Sequence, residues 1–431
     1  NSMSSNILIL CLSILALIVL ITLWRALVTR TLPLTSFPFI FIMSTTVFIG
    51  PQIYECYYLV NHEVLTPTIL YITLCMVMLL AGCNIHLKGG TFKNPIQSIF
   101  NEQNLALYSI CFIILASVGL IKLWGSDTSS SSQFSGKDVM YNFLFTTYRY
   151  ALIFASVGYF KTRRKIYKFL IILSVLFFID RIFIAGRRTD LVYLAIGLGI
   201  PYIYYTKAKI KLVFIIPAII LAFEVLSLLV AVRTATLNGA GFGSILAGNT
   251  FPSIQQIQTA QKKLNKYDIH SPELNACIYG MRAISQNNAY DYGAGYWNAF
   301  IQDFVPAQIV GGEFKASLKI QTKNAPISDY KVLKGSTMTG FYDSFMAFGY
   351  LGCMVFFLIG WFMSALYRKA MNGDTFNMIF YLCVLVDALH AVTHRTSLFI
   401  SGILMFIVFL LIMKVLFSLL NLDPNIRSIA S

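Results

Sequence analysis

Charge is scarce in this chain. Only 12% of its 431 residues are Asp, Glu, Lys or Arg, against about a quarter in a soluble globular protein. That excludes an ordinary soluble domain. Acidic residues are the scarcer sign, 18 against 33 basic, for a net charge of +15. In a soluble protein this excess would suggest nucleic acid; here the cations fall in short loops between apolar runs, and no nucleic-acid partner is expected. The eight cysteines form no CxxC pair. Seven lie in or beside apolar runs and only Cys277 stands in a polar stretch, so no loop disulfide is expected. GxSxG, a P-loop and a Rossmann fingerprint are all lacking, which argues against nucleotide use. The energy for any bond formed must then arrive with the substrate. No internal repeat and no separate soluble domain stand out.

What the chain does have is hydrophobicity: 57% of residues are hydrophobic, with a mean hydropathy of +0.70. Apolar runs of about 18 to 25 residues recur from end to end, each long enough to span a bilayer. They read as spans over 5–24, 36–60, 67–86, 104–124, 139–160, 168–186, 190–206, 212–232, 344–367, 375–393 and 397–420. The expected fold is an all-α polytopic membrane protein of about eleven transmembrane helices, with one large, partly helical loop between spans 8 and 9. Its parts are an N-terminal bundle (1–232), the loop (233–343) and C-terminal helices (344–431). Asn1 and Ser2 precede Met3 and read as a tag scar. The first span lacks a small-residue cleavage signature and reads as retained.

Alternate loops are basic: Arg25 and Arg30; Lys88 and Lys93; Lys161, Arg163, Arg164, Lys165 and Lys168; Lys207, Lys209 and Lys211; Arg368 and Lys369. The positive-inside rule puts these in the cytoplasm. The loops at 61–66, 125–138, 187–189 and 233–343, and the Arg395 turn, then face outward. The N-terminus is expected outside and the C-terminus inside. The serine-rich 126–136 stretch reads as an inert flexible loop. The long loop reads differently, with helical patterns over 251–266, 272–285 and 295–306. The last sets Trp297, Phe300, Ile301 and Phe304 on one face. Such a face suits a helix in the membrane interface, one packed on the bundle, or a platform for stacking sugars.

Charges in or beside spans are costly and need a reason. Arg187 and Arg188, in GRRTD, and Arg233, at the start of the long loop, sit at outer ends of spans. They serve as interfacial anchors or as an outward anion site. Arginine's planar fork matches phosphate oxygens, and a lipid diphosphate is the anion found at that depth. Arg395 is a further contact and Arg282 a weaker one. Asp387, His390 and His394, at i, i+3 and i+7, share a helix face. Without a further ligand cluster they suggest polar packing or proton handling rather than a metal, and His394 lies nearest the outer face. Asp180, Arg181, Arg149 and Glu224 are expected to pair inside the bundle. Asp343, at the outer boundary, is either a base for a hydroxyl or a carboxylate favoured by its helix N-terminus.

The stretches NNAYDYGAGYWNAFIQDFVP (287–306), GSTMTGFYDSFMAFGYLG (335–352) and HRTSLFISG (394–402) resemble the Wzy-type O-antigen polymerases, the oligosaccharide repeat-unit polymerase family. Gly186-Arg187-Arg188 and Arg233 match a turn and a loop-opening arginine that recur there. The resemblance lies in the order and spacing of these motifs, since no one of them is specific. It implies a GT-C-like membrane glycosyltransferase in the bacterial inner membrane with its active site facing the periplasm. The implied reaction is metal-independent, inverting and without cofactor. The donor is a glycan on undecaprenyl diphosphate and the acceptor a sugar hydroxyl of a new lipid-linked repeat unit. A chain-length regulator is the implied protein partner. On this reading Arg187, Arg188, Arg233, Arg395 and Arg282 hold the diphosphate. Asp343, or secondly His394, is the base, and Tyr290, Tyr292, Tyr296 and Trp297 contact glycan. The related O-antigen ligases carry a histidine about eleven residues before their GxxG; here Thr337, Met338 and Thr339 occupy that neighbourhood. A ligase, another lipid-linked-sugar transferase and a flippase are the alternatives. A transporter should show broken helices and repeat symmetry, and neither is apparent.

Overall fold

A computed structural model describes residues 2–85, 100–123, 137–179, 181–182, 187–208, 271–323, 327, 330 and 337–419. Among them the regular elements are helices with no strand, and the chain is an all-α, multi-pass membrane protein. In chain order the helices are α1 (Ser2–Leu23), α2 (Phe37–Leu59), α3 (His62–Asn84), α4 (Leu105–Leu123), α5 (Lys137–Phe145), α6 (Tyr148–Thr162), α7 (Lys165–Ile179) and α8 (Arg188–Thr206). There follow α9 (Pro272–Asn287), α10 (Ala294–Phe304), the short α11 (Ala307–Val310) and α12 (Gly312–Ser317), α13 (Gly340–Phe348), α14 (Cys353–Met371), α15 (Thr375–Thr393) and α16 (Ser397–Leu419).

Seven stretches among the described residues are long and apolar enough to cross a membrane: Met3–Val28, Phe37–Leu59, His62–Asn84, Glu102–Leu123, Gly340–Met371, Thr375–Thr393 and Ser397–Leu419. The run read as one span over 139–160 is instead two helices. Thr146 and Thr147 break it: their hydroxyls donate to the Phe143 and Leu144 carbonyls, each at 2.7 Å, bonds that compete with helix continuation. The 15 residues of α7 rise about 22 Å, short of the roughly 30 Å hydrocarbon core. The expected span at 212–232, the helix over 251–266, the 126–136 loop, and Asp180, Gly186, Glu224 and Arg233 lie outside the described residues.

The chain forms two compact units, 1–92 with 269–406, and 93–268 with 407–431. The long loop's described helices thus share a unit with α1–α3 and α13–α15, a grouping that cuts across the sequential division.

In the first unit α3 and α14 run side by side at close range. A Cβ added at Gly82 would lie 2.1 Å from the Phe357 carbonyl oxygen, and one at Gly360 2.3 Å from that of Leu79. Small residues permit such backbone approach where apolar packing alone drives association. Arg368 donates to the Cys83 carbonyl at 3.2 Å and the Ile85 carbonyl at 3.1 Å, closing the end of α3, where carbonyls lack helical partners. At the other end of α3, Ser5 bonds His62 at 3.3 Å, and Ser271 and Leu274, at the head of α9, bond Gln52 near the end of α2. The unit therefore has two unlike ends. One holds Arg25 and Arg30 beyond α1, and Arg368 and Lys369 in the last turn of α14. The other holds α9, α10, α13 and the 394–396 turn.

The second unit packs α4 through α8. Ser156 donates to the Gly197 carbonyl at 2.6 Å, joining α6 to α8, and Ser109 to that of Ala151 at 3.0 Å, joining α4 to α6. It too is polarised. Arg163 and Arg164 lie in the α6–α7 connection and Lys165 opens α7, with Lys207 just past α8. Arg149, Arg187 and Asp190 lie at the opposite end, where α6 and α8 begin.

Candidate functional site

The first unit gathers its chemistry where α15 turns into α16. That turn, His394 to Thr396, is fastened from a third helix. The Asp343 carboxylate, in the first turn of α13, accepts the Thr396 N–H at 2.9 Å and the Thr396 hydroxyl at 3.0 Å. Since α16 begins at Ser397, Asp343 supplies a negative charge and a hydrogen-bond acceptor to the N-terminus of α16, a stabilising position for both. Its place near the start of its own helix was legible in the sequence; its bond to a second helix was not. Tyr296 of α10 completes a chain. Its hydroxyl lies 2.6 Å from the Thr396 oxygen, and with the Thr396 proton committed to Asp343 the phenol is the donor. Burial pushes the Tyr296 pKa up, so it stays protonated.

Two glycines allow this assembly. A Cβ at Gly340 would sit 2.1 Å from the Ala391 carbonyl oxygen, and one at Gly402 2.2 Å from Asp387 Oδ2. His390 Nδ1 stands 3.7 Å from Asp387 Oδ1, and the His390 and His394 rings meet edge to face with centroids 4.9 Å apart. His394 Nδ1 is 2.7 Å from the Thr393 hydroxyl. Asp387, His390 and His394 thus stand near one another at the end of α15, but the Asp387–His390 separation exceeds a hydrogen bond, and the buried His390 Nδ1 has no hydrogen-bond partner among the described residues. Among the described residues no group of three or more His, Cys, Asp or Glu is placed to hold a metal ion. Arg395 is exposed on the turn. Thr337, where a ligase-like histidine would stand, donates to the Thr393 carbonyl at 2.5 Å.

The four aromatic residues of the YDYGAGYW segment (290–297) occupy different settings. Asp291 caps α10, accepting from Gly293 N at 2.9 Å and Gly295 N at 3.0 Å. Tyr290 packs toward Phe345, with centroids 5.9 Å apart. Tyr292 is exposed, with a left-handed φ of 51°. Tyr296 turns inward onto Thr396, and its ring stacks on Phe348 at 6.3 Å. Trp297 is half-exposed, its indole N–H donating to the Leu318 carbonyl at 2.8 Å. Arg282 lies on the exposed side of α9.

A second cluster occupies the second unit. Asp190, fully buried in the first turn of α8, accepts Tyr148 O–H at 2.6 Å and Arg149 Nε at 2.9 Å, with a second Arg149 nitrogen at 2.7 Å. The Arg149 guanidinium lies 4.4 Å from the centroid of the Tyr193 ring. Arg149's described partner is therefore Asp190, a residue the sequence reading treated as the edge of a span. Arg181 donates to Asn142 at 3.2 Å and lies over the Phe145 ring. Arg187 precedes α8 as its N-cap and donates its backbone N–H to the Arg181 carbonyl at 2.9 Å. The Arg181 charge is the chief cause lowering the Arg187 pKa to about 10, still cationic at neutral pH. Arg188 opens α8. Among the described residues Arg149 is the guanidinium paired with Asp190, and Arg181 and Arg187 stand at the same end of the unit, opposite its basic residues between α6 and α7.

No family model matches this chain, and neither does any curated protein or solved structure.

Thr396, Asp190, Tyr148 and Asp291 are the polar residues that sequence reasoning missed. Asp291 had a signal, since Asp two residues before Gly favours an Asx turn. Thr396 and Tyr148 had none, because their partners are 53 and 42 residues away.

Proposed function

We propose that this protein polymerises lipid-diphosphate-linked oligosaccharide repeat units at the outer face of a bacterial inner membrane, as its resemblance to the Wzy-type polymerases implies. The observation that carries the reading is the 394–396 turn. A carboxylate from α13 and a tyrosine from α10 hold it, so His394 and the exposed Arg395 are presented together beside the long loop. In the reaction an acceptor hydroxyl attacks the anomeric carbon of the donor. The bond from that carbon to the diphosphate oxygen breaks, undecaprenyl diphosphate leaves, and the hydroxyl proton passes to His394 or Asp343. The resemblance gives Arg187, Arg188, Arg233, Arg395 and Arg282 the task of stabilising the charge gathering on the leaving oxygen. Tyr290 and Tyr292 offer ring faces to the glycan. The loop excludes water that would otherwise hydrolyse the donor.

Orientation follows from the ends of each unit. Basic connections cluster at one end, which the positive-inside rule assigns to the cytoplasm. The site-bearing ends then face the periplasm. In the finer count the seven long apolar helices are joined by α5–α6, α7, α8 and the 212–232 run, making about eleven passes. A chain-length regulator is the expected protein partner.

Incubating purified protein with the undecaprenyl-diphosphate repeat unit, in EDTA and without nucleotide, tests the proposal. A ladder of repeat multiples supports it. Intact substrate with no ladder rejects it, and transfer to a lipid A–core acceptor in the same experiment would identify a ligase instead.

A further inference from the structure

Helix α10 is pinned at two points along one membrane span. Tyr296 bonds Thr396, immediately before α16, and Ser401, in the second turn of α16, donates to Asp303 at 2.8 Å. Seven residues of α10 cover about 10 Å and the five from Thr396 to Ser401 about 7.5 Å. α10 therefore lies against the outermost turns of α16, one of the most apolar helices among the described residues. Beside Ser401, Ile400 is 46% exposed, a lipid-facing position on a membrane span.

The residues of α10 sort around its axis. Ala294, Ala299 and Ile301 are buried, while Trp297 is 44% and Phe300 37% exposed. Their rings run in series with Phe304, with centroids 5.8 and 5.4 Å apart. On the opposite side Gln302 accepts from Lys315 at 2.9 Å and Lys319 at 2.7 Å, both carried by the segment that folds back along α10. An aromatic stripe opposite lysines is the pattern of a helix lying in a membrane interface. Trp and Phe suit that boundary because one side stays apolar and the other wet.

We propose that α10 is an interfacial helix, its Trp297–Phe300–Phe304 stripe immersed in the lipid leaflet that receives the start of α16. The inference needs only the multi-pass character of the chain, not the polymerase reading. It makes Trp297 a lipid contact rather than part of a sugar platform. α10 then couples bilayer position to the 394–396 turn through Tyr296.

The test uses full-length protein in lipid nanodiscs. Trp24, Trp124 and Trp361 are replaced by Phe, leaving Trp297 as the sole emitter. Bilayers of dibrominated phosphatidylcholine should quench its emission, and aqueous iodide should not. Independently, Phe300→Cys carrying a nitroxide should be open to oxygen and closed to a nickel chelate, at a depth of about 5–10 Å below the headgroup boundary. The native cysteines are buried apart from the half-buried Cys111, and unsubstituted protein gives the labelling background. The nitroxide result decides the matter if the tryptophan replacements fail to fold. Strong iodide quenching without bromolipid quenching, or a nickel-accessible label, overturns the proposal and returns the stripe to an aqueous, sugar-facing role.

Discussion

Asp343→Asn separates the clamp that this carboxylate forms from the base role proposed for it. As a clamp, Asp343 holds two donors of Thr396, the N–H at 2.9 Å and the hydroxyl at 3.0 Å. Hydrogen bonds to a charged acceptor contribute about 1.5–3 kcal/mol each, and neutral ones about 1. Asparagine keeps one acceptor oxygen, turns an amide donor toward another donor, and loses the favourable charge at the start of α16, worth up to about 2 kcal/mol when partly buried. A net loss of about 2 kcal/mol is expected, roughly a 30-fold fall in the population of the docked turn. Thr396→Val removes the hydroxyl's bond to the Asp343 carboxylate and the bond it accepts from Tyr296, so it should cost about 2–3 kcal/mol, or roughly 30- to 150-fold. If clamping is the whole role, ladder-forming rate in the two variants falls by those factors, and melting temperature falls in parallel in the same detergent. A base predicts otherwise. Loss of a general base lowers rate by about 10²–10⁴, while Thr396→Val, which leaves the carboxylate less stabilised and more basic, keeps nearly full rate. Asp343→Asn with unchanged melting and a rate loss beyond 10², together with an active Thr396→Val, would refute the clamp argument and make Asp343 the base.

Removing one partner of the buried Arg149–Asp190 pair should be severe. Asp190→Ala is expected to destabilise by about 3–5 kcal/mol, read as lost membrane-extracted monomer and lowered melting. A normal melt would mean that the pair carries little. Arg395→Gln and Arg187→Gln should melt as wild type while activity drops tenfold or more, about 1.4 kcal/mol of transition-state stabilisation each. Additive losses in the double variant would mean independent contributions, and either arginine at full activity removes it from the diphosphate assignment. Gly340→Ala forces a methyl onto a backbone carbonyl that cannot rotate aside, at a cost of about 1–3 kcal/mol. Unchanged melting would show that α13 and α15 separate freely there.

Apolar run length made the membrane class legible, because a bilayer imposes one length on every helix that crosses it. Length did not show the helix break within 139–160, which comes from Thr146 and Thr147 bonding carbonyls of the preceding turn. The arginines were legible as costly residues, but their partners were not. Arg149 stands 41 residues from Asp190, and nothing in the local pattern of either names the other. Asp343 and His394 were legible as candidates because each stands at the edge of an apolar run. Their relation was hidden, since it passes through Thr396, a residue with no charge and no motif. Positions flanking long apolar segments thus signal that something is held at the membrane boundary, while what holds it comes from a helix far away in the chain.

His394 and Arg395 are carried on the three residues between two membrane helices, a connection too short to move without tilting α15 or α16. Gly340 against Ala391 and Gly402 against Asp387 remove the slack on both sides, since neither contact leaves room for a methyl group. The remaining adjustable link is α10, fixed to the turn by the hydroxyl of Tyr296 and to α16 by Asp303. Tyr296→Phe deletes one neutral bond, about 1 kcal/mol, and keeps the ring that stacks on Phe348. If α10 only covers the site, this variant should lose little activity in any lipid. If α10 sets the turn through its depth in the leaflet, wild-type rate should vary with acyl-chain length across a series of phosphatidylcholine nanodiscs, and Tyr296→Phe should flatten that dependence. A wild-type rate that ignores bilayer thickness would sink the coupling while leaving the Asp343 clamp untouched.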